Sequence, residues 1–264
     1  MTSTKPPGAD EAFWRHFLTR GDAAERRARR FFLHLPHEPR CRMCAAPFAG
    51  LAAPAMRLIG KRQSDANPTM CNSCFTFVAK HHGGAEIECT MLFADIRGST
   101  ALAETMTPAE FHAVLDRFYT TASKVVFDHD GTVDKFVGDE LVAMFLPLLS
   151  GDRHATKGIE AAQALLAATG HAEAGGPWVP VGAGVHTAVV WFGAVGRGDR
   201  VDLTAVGDAV NTTARLASMA TAGEILVTTE TATAANLDPA LERRRLELKG
   251  KQALTEVVTL RVDP

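Results

Sequence analysis

Three groups of residues in this 264-residue chain have types and spacings that can do chemistry. The first is Cys41-x-x-Cys44 followed, after 26 intervening residues, by Cys71-x-x-Cys74. Two such pairs can place four thiolates around one tetrahedral ion. Zinc suits soft thiolate donors and needs no redox chemistry, so a structural Zn2+ is expected to staple the Pro-, Ala- and Gly-rich loop between the pairs. An iron–sulfur cluster, or free thiols able to form a redox disulfide, is the alternative reading of the same spacing. His34, His37, His81 and His82 lie near enough to substitute as ligands but read as solvated side chains, and Cys89, within an apolar run, reads as a small packed hydrophobe.

The second group is a pair of acids. The run Met91-Leu92-Phe93-Ala94 ends in Asp95, and a second acid, Asp139, follows Gly138 between two apolar arms, "GTVDKFV" and "ELVAMFL". Each acid alone is an ordinary turn or capping residue. If the strand ending at Asp95 pairs beside the hairpin, both carboxylates converge on one edge of a sheet. Two hard anionic oxygens, with the backbone carbonyl of Ile96, can then hold Mg2+, which keeps water and phosphate as its other ligands. The third group lies in "TAVGDAVNTTARLASM", where Asp208 can cap a helix after Gly207. Asn211 and Arg215 then fall at i and i+4 on one helix face. An amide and a guanidinium so placed can address a phosphate or a ribose; the plainer reading pairs Arg215 with a surface acid.

These residues need elements to hold them. The apolar periodicity predicts strands near 86–95, 131–137, 140–146, 179–195, 201–206, 223–228 and 254–261, and helices near 98–127, 152–170 and 208–219. The hairpin is the clearest of these, with two-fold apolar alternation on its first arm. Such a mixture predicts an α+β or α/β domain with a mixed sheet covered by helices. Upstream, residues 1–9 are polar with two prolines and are expected to lack order, and 10–35 read as helical with a break at Gly21-Asp22. The arginine run between them reads as a solvated helix face. "HHGGAE" at 81–86 is a Gly-containing joint. The expected organisation is therefore a tail and helical region over 1–35, a metal-binding segment over 36–83 and a larger domain over 84–264.

Composition narrows the partners. Hydrophobic residues make up 46% and charged residues 22% of the chain, with a formal net charge of −2. That balance supports a buried core and provides no global field for nucleic acid or acidic lipid. No apolar stretch is long enough to span a bilayer, and the first residues lack a signal-peptide core, so the expectation is a cytoplasmic protein with reduced cysteines, no membrane partner and no nucleic acid.

Taken together, "FADIRGST", "KFVGDELVAMF" and "GVHTAVVWFGAVG…DLTAVGDAVNTTARL" resemble the catalytic domain of class III nucleotide cyclases, the adenylate and guanylate cyclase family, from about residue 86 to 262. The resemblance implies a ferredoxin-like core with extra strands. It assigns Asp95 and Asp139 as the acids for two Mg2+ or Mn2+ ions. It places Lys135 and Thr204 where the family reads the purine, Asn211 at the ribose, Arg215 at the transition state and Lys249 at the triphosphate, with Lys251 an alternative to Lys249. Lys with Thr suits adenine, whereas guanine-selective members carry Glu and Cys at those positions. Ala188 stands where the family more often has Gly. The implied activity is an adenylate cyclase that turns ATP into 3′,5′-cyclic AMP and pyrophosphate, in a head-to-tail homodimer whose sites are shared between protomers. The alternatives are a catalytically inactive cyclase-like dimer that senses metal or redox state, and a guanylate cyclase.

Overall fold

The computed structural model describes residues 9–36, 38–250 and 254–262. His37 and Lys251, and all but the last residue of the tail over 1–9, lie outside them. The described chain forms two compact units: residues up to Ile87 together with Val189–Gly207, and Glu88–Ala188 together with the chain from Asp208 onward.

In the first unit, helices α1 (Ala9–Thr19) and α2 (Ala23–His34) meet at the expected break, where the Asp22 side chain accepts the Ala24 N–H at 2.7 Å. Trp14 and Leu18 of α1 are buried. Phe13 and Phe17 pack with Phe77 and His81, the His81 ring stacking 4.8 Å from Phe13, so His81 is half-buried against aromatic rings. The arginine run departs from a uniformly solvated face in one place: Arg29 is buried and donates to the Met43 carbonyl at 2.8 Å. The periodicity does not reveal two short helices: α3 (Ala53–Leu58) lies within the stretch between the cysteine pairs, and α4 (Asn72–Lys80) begins after Cys71 and carries Cys74.

The chain carries one mixed sheet, most of it in the second unit. Its strands are β1 (Gly83–Ile96), β2 (Thr132–Val137), β3 (Glu140–Phe145), β4 (Val181–Val195), β5 (Asp202–Val206), β6 (Glu224–Thr228), β7 (Arg243–Leu246) and β8 (Thr255–Arg261). The order is β2-β3-β1-β4-β6-β8-β7, with β5 on β4; β5 and the outer parts of β1 and β4 belong to the first unit. The β2-β3-β1-β4 portion, with helices following β1 and β3, is a ferredoxin-like split βαβ arrangement. The run Met91–Ala94 is buried because helices cover both faces of β1.

After β1 the predicted single helix over 98–127 is two, α5 (Ser99–Glu104) and α6 (Pro108–Asp128). Thr107 and Glu110 form a reciprocal capping box and Pro108 opens α6, so the chain restarts a helix where apolar periodicity alone reads through. The predicted helix over 152–170 is preceded by α7 (Pro147–Ser150) and a short turn, and α8 proper runs His154–Ala168. Beyond it lie α9 (Asp208–Met219) and α10 (Thr229–Ala234). On one face of the sheet Leu92, Ala94 and Ile96 pack in one core with Phe118, Ala122 and Val126 of α6 and Leu165 and Leu166 of α8. Gly158 lets α8 approach β1 closely, since a Cβ there would stand 2.7 Å from the Thr90 methyl. The alternation along β1 turns Met91 to the other face, where the Thr213 hydroxyl of α9 contacts its sulfur at 3.8 Å.

Candidate active site and cysteine centre

β1 pairs antiparallel with β3, and Asp95 stands opposite Glu140. Asp139 immediately precedes Glu140 in the two-residue turn that joins Val137 to Glu140. Gly138 supplies the turn with a φ of +61°, positive at the first loop position as in a II′ hairpin. Asp95, Asp139 and the carbonyl end of β1 at Ile96 are thereby brought to one end of a strand pair. The Ile96 side chain itself is buried in the core.

Two neighbours of these acids were not singled out from sequence. Arg97 pairs with the Asp95 carboxylate and also donates to the Ser218 carbonyl at 2.8 Å. Burial draws the Arg97 pKa down, while the charges of Asp139 and Glu140 oppose that shift. Glu140 is the second: burial, then the adjacent Asp139 charge, hold its carboxyl above the usual range. Three carboxylates around one guanidinium leave an excess of negative oxygen, a donor set that fits a hard divalent cation. Tyr119 fastens the turn from behind, its hydroxyl donating to the Gly138 carbonyl and its ring stacked 3.9 Å from Phe136.

Lys135 lies exposed on β2, its ammonium 3.3 Å from the buried carboxylate of Asp134. The register on β3 shifts at a bulge between Val133 and Lys135, with Asp134 buried and Lys135 exposed. Thr204, in the first unit, is half-buried on β5 opposite Gly193 of β4.

On α9, Asp208 is the first helical residue, Asn211 is exposed one turn later and Arg215 one turn beyond it. The Arg215 Nη1 atom is buried without a hydrogen-bond partner. A Cβ added to Gly250 would lie 3.5 Å from its Nη2, so the exposed Lys249 is carried on the turn that runs against Arg215. A buried guanidinium nitrogen without an acceptor costs free energy unless an anion completes it, and a phosphate oxygen has that chemistry.

The four cysteines of the paired motifs come together in the first unit, with all sulfurs within 4.8 Å of one another. The Cys71 N–H donates to the Cys41 sulfur at 3.3 Å, and the Cys44 and Cys71 sulfurs are 3.8 Å apart. Burial opposes ionisation at Cys41, yet hydrogen bonds from the other three thiols bring its pKa well below the usual value, while Cys44 and Cys74 are pushed up by the same sharing. Lys61 answers this charge: burial would lower its pKa, but the neighbouring sulfurs raise it. Four converging sulfurs with thiolate character can hold a metal ion. Cys89 takes no part. It is fully buried, and burial pushes its thiol up to about 12.

A family model described as "Adenylate and Guanylate cyclase catalytic domain" matches residues 84–260. The chain is 35% identical over 147 residues to Adenylate cyclase 1 of Rhizobium meliloti, covering 53% of this chain and 22% of that one. It is 33% identical over 138 residues to the adenylate cyclase of Anabaena cylindrica, covering 48% of this chain and 26% of that one. The match thus spans about a quarter of the length of these relatives. Among solved structures it resembles the guanylyl cyclase Cya2, with a TM-score of 0.58, 28% identity and coverage of 67% of this chain and 93% of that one. It also resembles the adenylyl cyclase CyaB from P. aeruginosa, with a TM-score of 0.57, 26% identity and coverage of 67% and 95%. With the ferredoxin-like order of its strands and a family model spanning most of its length, the chain belongs to the class III nucleotide cyclases, the adenylate and guanylate cyclase catalytic-domain family.

Proposed function

We propose that the protein is an adenylate cyclase, converting ATP to 3′,5′-cyclic AMP and pyrophosphate at sites shared between the protomers of a homodimer. The catalytic domain spans 84–264, preceded by the helical region (1–35) and the cysteine segment (36–83). The observation that carries this reading is the arrival of Asp95 and Asp139 at the same end of the β1–β3 pair. These acids, with the Ile96 carbonyl, would hold two Mg2+ or Mn2+ ions. When bound, such ions lower the pKa of the attacking hydroxyl and neutralise phosphate charge.

In the reaction the ribose 3′-oxygen bonds to the α-phosphorus and its proton leaves. The bond from the α-phosphorus to the bridging oxygen breaks, and pyrophosphate departs with that electron pair. Arg215, whose Nη1 is buried without an acceptor, is placed to meet the charge that grows on the α-phosphoryl oxygens. Lys249, beside it, addresses the triphosphate. Asn211 orients the ribose from the same helix face. Lys135 can only donate, which suits a purine ring nitrogen, and Thr204 can accept from the adenine exocyclic amine. The names of the Rhizobium and Anabaena relatives support ATP as substrate. The cysteine centre would hold a structural Zn2+. No helix among the described residues is long and apolar enough to cross a membrane, in keeping with a cytoplasmic enzyme.

The direct test is incubation of the purified protein with Mn2+ and either ATP or GTP, with products separated by chromatography. Cyclic AMP is expected from ATP, and cyclic GMP formed in preference from GTP would replace this reading with a guanylate cyclase. Arg215→Ala should lower turnover by about 10²–10³ with an unchanged melting temperature. Mixing inactive Asp95→Ala and Arg215→Ala proteins should restore part of the activity, because one of the two sites in a heterodimer is intact. Absence of recovery despite demonstrated subunit exchange would exclude shared sites.

A further inference from the structure

Within the first unit, the cysteine centre is joined to the strand that carries Thr204. Arg42 occupies the first position between Cys41 and Cys44, and its side chain is 6% exposed. Its guanidinium donates to the Leu203 carbonyl and pairs with Asp202 at 3.2 Å. The same Asp202 oxygen accepts the Asn67 side-chain amide at 3.2 Å and the Leu203 N–H at 2.9 Å. Asn67 belongs to the turn that delivers Cys71: the Met70 N–H donates to its carbonyl at 3.0 Å, and its side chain accepts the Thr69 N–H at 3.1 Å. The Arg42 N–H closes the circuit by donating to the Thr69 carbonyl at 2.9 Å. Each half of the four-cysteine centre therefore sends one side chain to Asp202–Leu203, the two residues before Thr204. β5 needs such support, because β4 is its one strand partner among the described residues.

We propose that Arg42, seconded by Asn67, is a positioning residue through which the cysteine centre holds β5, so that a metal at the centre sets how Thr204 selects the purine. The physical reason is leverage. A buried guanidinium in a charge-assisted contact has one favourable place for its acceptors. The Cys41–Cys44 turn that aims Arg42 is short, and a bound metal would hold both of its ends. Loss of the metal frees the turn, Arg42 loses its aim, and Thr204 shifts with the strand. Displacements of about 1 Å far from the reacting atoms suffice to alter enzymatic rates by up to about 10²-fold.

This inference rests on Thr204 as a purine-reading residue, and the experiment separates the two. In the full-length protein, Arg42→Met is expected to reduce the ATP-over-GTP preference in kcat/KM about tenfold, mainly through KM for ATP, with its metal content retained. Asp202→Asn, which changes no residue of the cysteine segment, should act in the same direction. Should Arg42→Met release the metal, the Asp202 variant carries the test alone. Thr204→Ala should also lower the preference, and adding Arg42→Met to it should lower it little further, as for two residues acting through one contact. In parallel, stripping the metal with a chelator should speed amide exchange over 202–206 while leaving β6 protected. Unchanged preference in the Asp202 and Arg42 variants, where Thr204→Ala does change it, overturns the positioning role. Unchanged preference in Thr204→Ala instead removes the purine reading, and the exchange experiment then decides the hold on β5 alone: unaltered exchange over 202–206 overturns it.

Discussion

The cysteine lobe and the ferredoxin-like unit are held together by different physics. In the second unit, buried aliphatic and aromatic side chains from β1, β3, β4, α6 and α8 form one continuous core. Each contributes dispersion and the removal of apolar area from water, so no single residue is indispensable to the fold. In the lobe, α3 has 6 residues and the pairing around the cysteines consists of isolated bridges, Arg40 with Pro47 and Gln63 with Cys71. Polar groups do much of the joining there: Arg40 donates to the Ala45 carbonyl at 3.3 Å and to the Phe32 carbonyl at 2.7 Å. A segment with so little apolar area to bury depends on its four sulfurs meeting at one point. Redundant packing tolerates single losses, whereas a small polar lobe with one central tie does not.

The contrast can be broken in three ways, in descending size of effect. Removing metal from the cysteine centre, or replacing Cys41 with Ser, should abolish amide protection across 41–74, a loss on the order of 10 kcal/mol of local stabilisation by comparison with zinc-stapled domains. Hydrogen exchange should find the β1–β3 ladder over 90–95 still protected, and equal loss in both regions would make the tie global. Next, Phe145→Ala in the second unit should cost roughly 3–5 kcal/mol, because Phe145 is fully buried in the core. A calorimetric midpoint lowered by about 10 °C is expected, with metal content unaltered.

The smallest effect is a dependence of the second unit on pH. Burial lowers the pKa of His154, although Glu88 and Asp152 oppose the shift, and burial likewise lowers that of His171. The Thr90 hydroxyl bonds His154 Nδ1 at 2.9 Å, and His171 Nε2 accepts the Val181 N–H at 3.0 Å, a bond that the protonated ring cannot keep. Their folded pKa values lie below the unfolded value of about 6.5, so the unfolded chain binds more protons in that window. The stability these neutral rings contribute is therefore complete above about pH 6.5 and falls away as pH drops through the folded values. Melting temperature should decline modestly between pH 7 and 5, and replacement of His171 by Gln should flatten part of that slope.

Local chemistry explains what could be read along the chain. The Gly138-Asp139 turn announced its hairpin because a positive φ at the first loop position favours glycine. The Gly21-Asp22 break was legible for a similar reason, as a short acid is a good N-cap. The restart at Thr107 was equally local, a Thr-Pro-Ala-Glu capping box, but the apolar period across it masked the break. β7 was hidden because its sequence is Arg-Arg-Arg-Leu: it is the end strand of the sheet, where alternation with a buried face is weak. The bulge at Asp134 left no mark either, since an inserted residue is fixed by the partner strand and not by its own type.

By itself, the sequence determined the residue types for the chemistry: two acids after apolar strands, an amide and a guanidinium one helical turn apart, and four thiols in two Cys-x-x-Cys pairs. Those features are local, set by spacing along a strand, a turn or a helix. Tertiary structure alone decided that Arg97 shares the site of Asp95, that Arg215 keeps a buried nitrogen without an acceptor beside Gly250, and that Arg42 reaches a strand 161 residues away. Such long-range contacts depend on how sheets and loops close in space, and no period or motif along one dimension encodes where a side chain will find its partner.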